Sequence, residues 1–270
     1  MIKIDRFLSM LLLITFFSAN AYGAGLSLPG GLSRIANLEP GGKTEGKILV
    51  RNDSAEPQTV KAYQTDYLFY ADGQNIYGKP GTDTRSNASW VTFFPQRLEV
   101  LPKEVGVINY VVQVPADSKS SGTFWSILMV EPVSKESPEV SDKPGKINVG
   151  ISTVVRYAVQ IITNLGDSGE RKLKFLDKQL TKADKDLILQ VDLENTGQGS
   201  LTPTVWAELF DEKGSSIGRF EGGRVRIFPT CSARFKVNLS DAPKGKYSAL
   251  VVADNGDDNV FGARYQLEVP

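Results

Sequence analysis

Apolar and polar residues alternate with a period of two along most of this chain. The alternating segments are rich in Val, Ile, Tyr and Phe, and turn residues interrupt them about every ten residues. Because alternate side chains of a half-buried strand face the core, this pattern predicts an all-β protein built from sandwiches. The strands predicted in the first part of the chain are Lys43–Arg51, Gln58–Tyr70, Ser89–Phe94, Arg97–Val100, Val105–Val114, Thr123–Glu131 and Ile147–Thr163.

The order of three short motifs in the first half of the chain recurs in the second half. The matched segments are Val50–Ser54 with Leu193–Gly197, Arg97–Pro102 with Arg224–Pro229, and Gly122–Leu128 with Gly245–Val251. Three matches in the same order indicate two copies of one sandwich. The polar joint Asn164–Glu170 interrupts the strand pattern with glycines and charge, so we expect two domains, at residues 25–165 and 166–270.

The first 24 residues have the composition of an export signal peptide. Lys3 and Arg6 supply a positive start, and the apolar run Phe7–Phe17 is shorter than the roughly 20 residues that span a bilayer. Small residues follow, which places cleavage after Ala21 or within the next few residues. We therefore expect residues 1–24 to be removed, leaving an exported protein without stable membrane insertion; the alternative is an uncleaved anchor.

The composition removes several classes of function. The chain has no His and a single Cys, Cys231. It therefore cannot form a Ser-His-Asp triad, a histidine-bound zinc site, an intramolecular disulfide or a zinc site of four thiolates. The 31 basic residues are balanced by 31 acidic residues, which leaves no basic excess for nucleic acid. We expect no catalysis, no cofactor and no metal.

The predicted strand Ile147–Thr163 is longer than a sandwich of this size requires, since the run from residue 146 to residue 162 would extend for more than about 50 Å. Ile147, Val149 and Ile151 alternate there with small polar residues. These three side chains are either ordinary core or an apolar row presented along a sheet edge.

Arg156 lies further along the same run, on its even-numbered face. A guanidinium among apolar residues needs an anion or solvent. It can pair with a nearby acid of the chain, point into water or bind a carboxylate from a partner.

The repeat, the long strand and the motif Pro95–Leu98 resemble the periplasmic pilus chaperones typified by PapD. The resemblance implies two immunoglobulin-like β-sandwich domains in tandem and a location in the periplasm. It also implies a non-enzymatic function, in which the last strand of the first domain completes an unfinished fimbrial subunit by donor-strand complementation. The implied partners are pilin subunits and an outer-membrane usher.

The resemblance also assigns site residues. Ile147, Val149 and Ile151 match the apolar residues that the chaperone donates. Arg34 and Arg156 match the basic pair that holds the C-terminal carboxylate of the subunit.

One segment departs from that family. Ser120–Trp125 stands where the family has an acidic, arginine-containing signature, and it is more similar to the tandem ectodomains of WxL-interacting surface proteins. In those proteins the first domain is associated with peptidoglycan, and a C-terminal membrane helix follows. This chain ends on a predicted strand at Leu267–Pro270. We therefore expect a free periplasmic chaperone, with a non-catalytic cell-wall or surface-protein binding module as the alternative.

Overall fold

The computed structural model describes residues 25–133, 154–166, 169–183 and 186–270. The predicted signal peptide and the residues Ile147, Val149 and Ile151 lie outside these ranges. Regular structure within the ranges is β-strand, apart from one 3-10 turn at Ala88–Trp90. None of the helical structure described there is long and apolar enough to cross a membrane. The predicted all-β fold class is confirmed, with two immunoglobulin-like β-sandwiches in tandem.

The first sandwich consists of two sheets that pack face to face. Its strands are β1 (Leu26–Ser27), β2 (Ser33–Leu38), β3 (Lys43–Asn52), β4 (Gln58–Phe69), β5 (Asn75–Gly78), β6 (Val91–Phe94), β7 (Arg97–Val100), β8 (Val105–Gln113), β9 (Gly122–Pro132) and β10 (Tyr157–Leu165). Sheet I has the order β1-β3-β8-β6, and sheet II has the order β2-β10-β9-β4-β5, with β7 also paired to β4. β2 runs parallel to β10, and the other pairs are antiparallel.

Strand alternation builds the core between these sheets. On β3, Ile48 and Val50 are fully buried while Lys47 and Leu49 face outward. The same period places Leu128 and Val130 of β9, and Val159 and Ile161 of β10, in one buried cluster with residues of sheet I. The other face of sheet II, which we call its outer face, is turned away from sheet I.

The second sandwich also has two sheets, and its strand pairs are all antiparallel within the described residues. Its strands are β11 (Leu173–Ala183), β12 (Asp186–Asn195), β13 (Thr204–Phe210), β14 (Ser216–Arg224), β15 (Ser232–Asn238), β16 (Gly245–Asp254) and β17 (Val260–Val269). Sheet III has the order β11-β12-β15, and sheet IV has the order β14-β13-β16-β17. In the described residues, no strand is shared between these sheets and those of the first sandwich.

The sequence repeat corresponds to a repeated hydrogen-bond arrangement around two fully buried asparagines, Asn52 and Asn195. Asn52 Nδ2 donates to the carbonyl of Val100 at 2.9 Å, and Asn195 Nδ2 donates to the carbonyl of Ile227 at 2.9 Å. Each amide also donates to the carbonyl four residues later at 2.8 Å. The two sandwiches therefore use the same asparagine hydrogen bonds to hold the matched segments to the ends of β3 and β12.

The backbone repeats at the same places. Lys103 and Thr230 follow the matched prolines, and both have positive φ, 64° and 66°. The N–H of each donates to the carbonyl of the buried asparagine of its own sandwich, at 2.9 Å and 2.8 Å. A positive φ is rare outside glycine, so its recurrence at equivalent positions supports two copies of one fold.

Asp66 fixes the connection between β5 and β6. Its carboxylate accepts hydrogen bonds from the backbone N–H groups of Gly81, Thr82 and Asp83 at 2.8–3.0 Å, and from Ser86 Oγ at 2.5 Å. Burial by itself would raise the pKa of Asp66, but these hydrogen bonds outweigh burial and hold the pKa below its usual value.

The sandwiches meet where β9 begins. The Trp125 ring stacks on Phe228 of the second sandwich, with ring centroids 4.5 Å apart and ring planes 9° apart. Phe69 approaches Phe228 edge-on at 6.1 Å, and Ile162 joins the same buried cluster. Because Trp125 and Ile162 lie in one cluster with the core of the second sandwich, the apolar interior is continuous across the joint.

β10 begins after the first described residues of the predicted strand Ile147–Thr163. It begins at Tyr157, and Val154–Arg156 are not strand, so the prediction is wrong over those residues. The neighbouring strand explains this start, because Tyr157 pairs with Val130 of β9 and β9 ends two residues later at Pro132. Proline has no N–H with which to extend the ladder.

Candidate functional site

Within the described residues, the edge of β10 is open at its N-terminal end. β9 pairs with β10 along its whole length, but β2 pairs with it only from Gln160 onward. Within the described residues, Tyr157–Val159 therefore have no strand partner on the β2 side. An unpaired stretch of this kind is a template for an added strand.

The open stretch is held in place by the rest of the sandwich. The Tyr157 hydroxyl donates to the carbonyl of Leu26 at 2.5 Å. Val159 is fully buried in the core, and Ala158 pairs with Met129 of β9. A partner strand would thus meet a fixed edge rather than a loop.

Beside this edge, Arg156 belongs to a charged cluster on the outer face of sheet II. Arg156 Nε lies 2.8 Å from Glu131 Oε2, and Lys61 Nζ lies 2.7 Å from Glu131 Oε1. The Tyr63 hydroxyl donates to Glu131 Oε2 at 3.2 Å. The Glu131 side chain is 6% exposed, whereas that of Arg156 is 61% exposed. The sequence left three partners open for Arg156: an acid of the chain, water or a carboxylate from a partner. In the structure Arg156 pairs with an acid of the chain, Glu131.

Electrostatics keeps Glu131 ionised. Burial would raise the pKa of its carboxyl, but Lys61, the Tyr63 hydrogen bond and the charge of Arg156 outweigh burial and lower the pKa. Burial and the charge of Glu131 together raise the pKa of Tyr63, so the phenol stays protonated near neutrality. Two cations and one anion leave the cluster with a net positive charge.

A cavity of about 280 Å³ opens next to the cluster. Its lining consists of Tyr63, Thr65, Tyr77, Met129, Arg156 and Ala158. β5 supplies Tyr77 to this lining. The other lining residues come from β4, β9 and β10, and from Arg156, which precedes β10. The cavity combines an apolar wall with one exposed guanidinium.

Arg34 lies in a different place. Its Nη1 donates to the carbonyls of Gly30, Gly31 and Ser33 at 2.9–3.1 Å. Its side chain lines a groove of about 490 Å³ together with Lys47 and residues of both sheets. This groove lies at the lateral opening of the first sandwich, between β2 and β3.

The structure does not bring Arg34 and Arg156 together. Arg34 pairs with Ile161, whose side chain faces the core, whereas Arg156 contacts Glu131 on the outer face. The two arginines thus lie on opposite faces of sheet II. They are also five positions apart along β10, about 17 Å at the usual rise per residue. One carboxylate cannot contact both in this arrangement, and the role of each stays a prediction.

Sequence reasoning missed Lys61, Tyr63 and Glu131. A signal was present, because Glu131 ends a strand that is otherwise almost wholly apolar, and an acid there needs a partner. Identifying that partner requires the pairing of Lys61 with Glu131 across β4 and β9, and the sequence does not state this register. No cluster of three or more acidic or thiol side chains placed to hold a metal occurs in the part of the chain that the structure describes.

The fold and site together define an arrangement of two β-sandwiches in which the first has, within the described residues, an open strand edge. No family model matches the chain, and no curated protein matches it. The chain is similar to solved structures of fimbrial chaperones, the family that its sequence resembles.

Three of these structures illustrate the likeness. The class 5 fimbriae chaperone CfaA is 15% identical, with a TM-score of 0.46, and the match covers 91% of this chain and 99% of that chain. The E. coli chaperone DraB is 14% identical, with a TM-score of 0.42 and coverages of 90% and 98%. The CsuC-CsuE chaperone–subunit complex of Acinetobacter baumannii gives 10% identity, a TM-score of 0.46 and coverages of 88% and 98%. Identities and TM-scores at this level describe the architecture alone.

Proposed function

We propose that this protein is a periplasmic chaperone that binds fimbrial subunits by donating an edge strand. In this proposal residues 1–24 direct export, residues 25–165 and 166–270 are the two domains, and no step is catalytic. Ile147, Val149 and Ile151 supply the donated side chains, and an outer-membrane usher is a further partner.

The open edge at Tyr157–Val159 is the observation that carries the proposal. A strand added there would continue the line of β2, since β2 covers β10 from Gln160 onward. The alternating sequence at residues 147–151 comes just before this edge in the chain. Backbone pairing along such an edge provides affinity, and alternate side chains fix the register of the partner.

The arginines enter the proposal with separate roles. Arg156 is exposed, adjoins the open edge and belongs to a cluster of net positive charge, so we assign it the C-terminal carboxylate of the subunit. Arg34 is the second basic residue of the proposal. Because it lies in its own groove, it would contact another part of the subunit.

Co-expression tests the donated strand. The full chain would be exported together with a fimbrial subunit that lacks its own N-terminal donor extension, and recovery of the complex would be measured. Val149→Lys places a charge in the apolar row and should abolish recovery. Asn148→Lys carries the same charge on the opposite face of the segment and is the matched control.

The arginine variants test the anchor in the same assay. Arg156→Gln should reduce recovery about ten-fold or more, since a charge-assisted hydrogen bond is lost. Equal recovery for Val149→Lys and Asn148→Lys would overturn strand donation. Sedimentation of the chain with purified peptidoglycan, without capture of any subunit, would favour the cell-wall binding module instead.

A further inference from the structure

Three side chains with donors that lack an acceptor line the groove between β2 and β3: Arg34, Lys47 and Tyr110. Among the described residues, Lys47 has no hydrogen bond or ion pair, and Arg34 donates through Nη1 alone. The Tyr110 hydroxyl likewise has no hydrogen-bond partner there, although Tyr110 is only 8% exposed. No acidic side chain lines the groove. Its lining is therefore positive and rich in unused donors.

The Tyr110 hydroxyl reaches the groove because Gly46 has no side chain. Tyr110 of β8 pairs with Gly46 of β3, and a Cβ at Gly46 would collide with the Tyr110 hydroxyl. Burial raises the pKa of Tyr110, although the charge of nearby Arg34 opposes this, so the phenol stays protonated near neutrality. A buried hydroxyl without a partner costs free energy, and an acceptor supplied by a ligand would remove that cost.

The rest of the lining is mainly apolar. Pro29, Ile35 and Leu49 contribute to it. Ile35 is 54% exposed and Leu49 is 37% exposed, so a ligand that covers them would remove apolar surface from water. The groove thus offers donors to an anion and apolar contacts to the body that carries the anion.

The chain closes both ends of this groove. β1 pairs with β3 at Arg51 and Asn52, and residues 28–32 carry the chain from β1 to β2. At the other end, residues 39–42 carry it from β2 to β3. A partner strand therefore cannot run lengthwise through the groove, whereas a short ligand can enter from the side. The volume of about 490 Å³ is in the range of roughly 300–1,000 Å³ that is usual for small-molecule sites.

We propose that the groove between β2 and β3 binds a small amphiphile, with its anionic head group on Arg34, Lys47 and the Tyr110 hydroxyl and its apolar chain against Pro29, Ile35 and Leu49. A fatty-acid carboxylate and the phosphate of a single-chain lipid share this chemistry. The inference does not rest on the proposed function. A bound amphiphile would occupy Arg34, so it and a subunit would use this arginine in turn.

Calorimetric titration of the full chain tests the two halves of the ligand separately. The probes are decanoate, decyl phosphate, decanol and acetate, each below its critical micelle concentration. Decanoate and decyl phosphate should bind. Decanol should bind about ten-fold more weakly or worse because it lacks the charge, and acetate should do the same because it lacks the chain.

Two variants remove the donors without disturbing the turn that Arg34 holds. Tyr110→Phe deletes only the hydroxyl, and Lys47→Gln deletes an exposed charge. Each should weaken decanoate about five-fold or more and leave decanol unchanged, because only the anion uses these groups. Lys174→Gln removes a charge from β11, far from the groove in the fold, and is the matched control that should bind decanoate like the parent.

The outcomes decide the proposal. Tighter binding of either decanoate or decyl phosphate supports the site and identifies its head group. Equal binding of decanol and decanoate would overturn it, as would unchanged affinity in both Tyr110→Phe and Lys47→Gln. Binding of the acidic peptide acetyl-Val-Asp-Val-amide without any binding of decanoate would also overturn it, in favour of a polypeptide side chain. Strand donation is judged independently by Val149→Lys.

Discussion

Removing the Trp125 ring should uncouple the two sandwiches. Trp125 is 2% exposed, stacks on Phe228 at 4.5 Å, and its Nε1 donates to the carbonyl of Tyr67 at 2.7 Å. Truncating a buried aromatic residue to Ala costs about 3–5 kcal/mol, which includes the cavity left behind. The orphaned Tyr67 carbonyl puts Trp125→Ala near the upper end of that range. Domains of this kind are stable by only about 5–15 kcal/mol, so the loss would be large.

Urea unfolding can measure the uncoupling because each sandwich has its own tryptophan. Trp90 packs on Phe124 in the first sandwich, with ring centroids 4.8 Å apart, and Trp206 lies under Arg219 in the second. With Trp125 present, reporter variants lacking either Trp90 or Trp206 should unfold at coincident midpoints, since the core is continuous. With Trp125→Ala, the two midpoints should separate. Hydrogen exchange checks that both sandwiches still fold.

Phe228→Ala supplies the test from the other side of the joint. It removes the partner ring of Trp125. The loss of unfolding free energy in the double variant should therefore be smaller than the sum of the losses in the two single variants, by about 0.5–1.5 kcal/mol for the ring pair. A loss below about 1 kcal/mol for Trp125→Ala would refute the magnitude reasoned from core truncation. Midpoints that stay coincident in that variant would refute the coupling.

Other perturbations have equally definite outcomes. Asn52→Asp and Asn195→Asp should each cost about 3 kcal/mol, because an anionic oxygen would replace the amide that donates to two carbonyls; chemical denaturation measures both. Asp66→Asn should cost about 2 kcal/mol at neutral pH. The pKa of Asp66 is lower in the folded protein than its unfolded value of 3.8. The stability that this carboxylate contributes is therefore present above pH 3.8 and is lost as the pH falls through the folded pKa. Thermal melts of Asp66→Asn and of the parent protein should converge in acid. The Cys231 thiol is fully buried, and desolvation raises its pKa to about 11, so a thiol reagent should react with it only on unfolding.

Local patterns were sufficient for most of the sandwich. The predicted strand Arg97–Val100 has the bounds that the structure gives to β7, and the prediction Val105–Val114 exceeds β8 by one residue. Both segments alternate cleanly, and turn residues bound them. The matched motifs around Asn52 and Asn195 are likewise local, and the structure shows their shared hydrogen bonds.

Features set by neighbouring strands could not be predicted. β2 is a short strand that follows a glycine-rich turn and gains its place only by parallel pairing with β10, which is distant in sequence. The start of β10 is set by where β9 ends. The Lys61–Glu131–Arg156 cluster joins β4, β9 and the residue that precedes β10, and a one-residue change in either register would turn one of its members to the other face.

The register of β2 decides which arginine can serve the outer face. Hydrophobicity alone would turn Ile35 inward and Arg34 outward, yet Ile35 is 54% exposed and Arg34 pairs with the core residue Ile161. Polar pairs at both ends of the ladder hold this register. Ser33 Oγ donates to Gln160 Oε1 at 3.2 Å, and Asn164 Nδ2 donates to Asn37 Oδ1 at 2.9 Å.

A slip of one residue would break both pairs and move Arg34 to the face that carries Arg156. The separation of the two arginines is thus a consequence of those polar pairs. Arg156 already lies on the outer face, where Glu131 holds it. Binding beside the open edge should therefore depend on Arg156 rather than on Arg34.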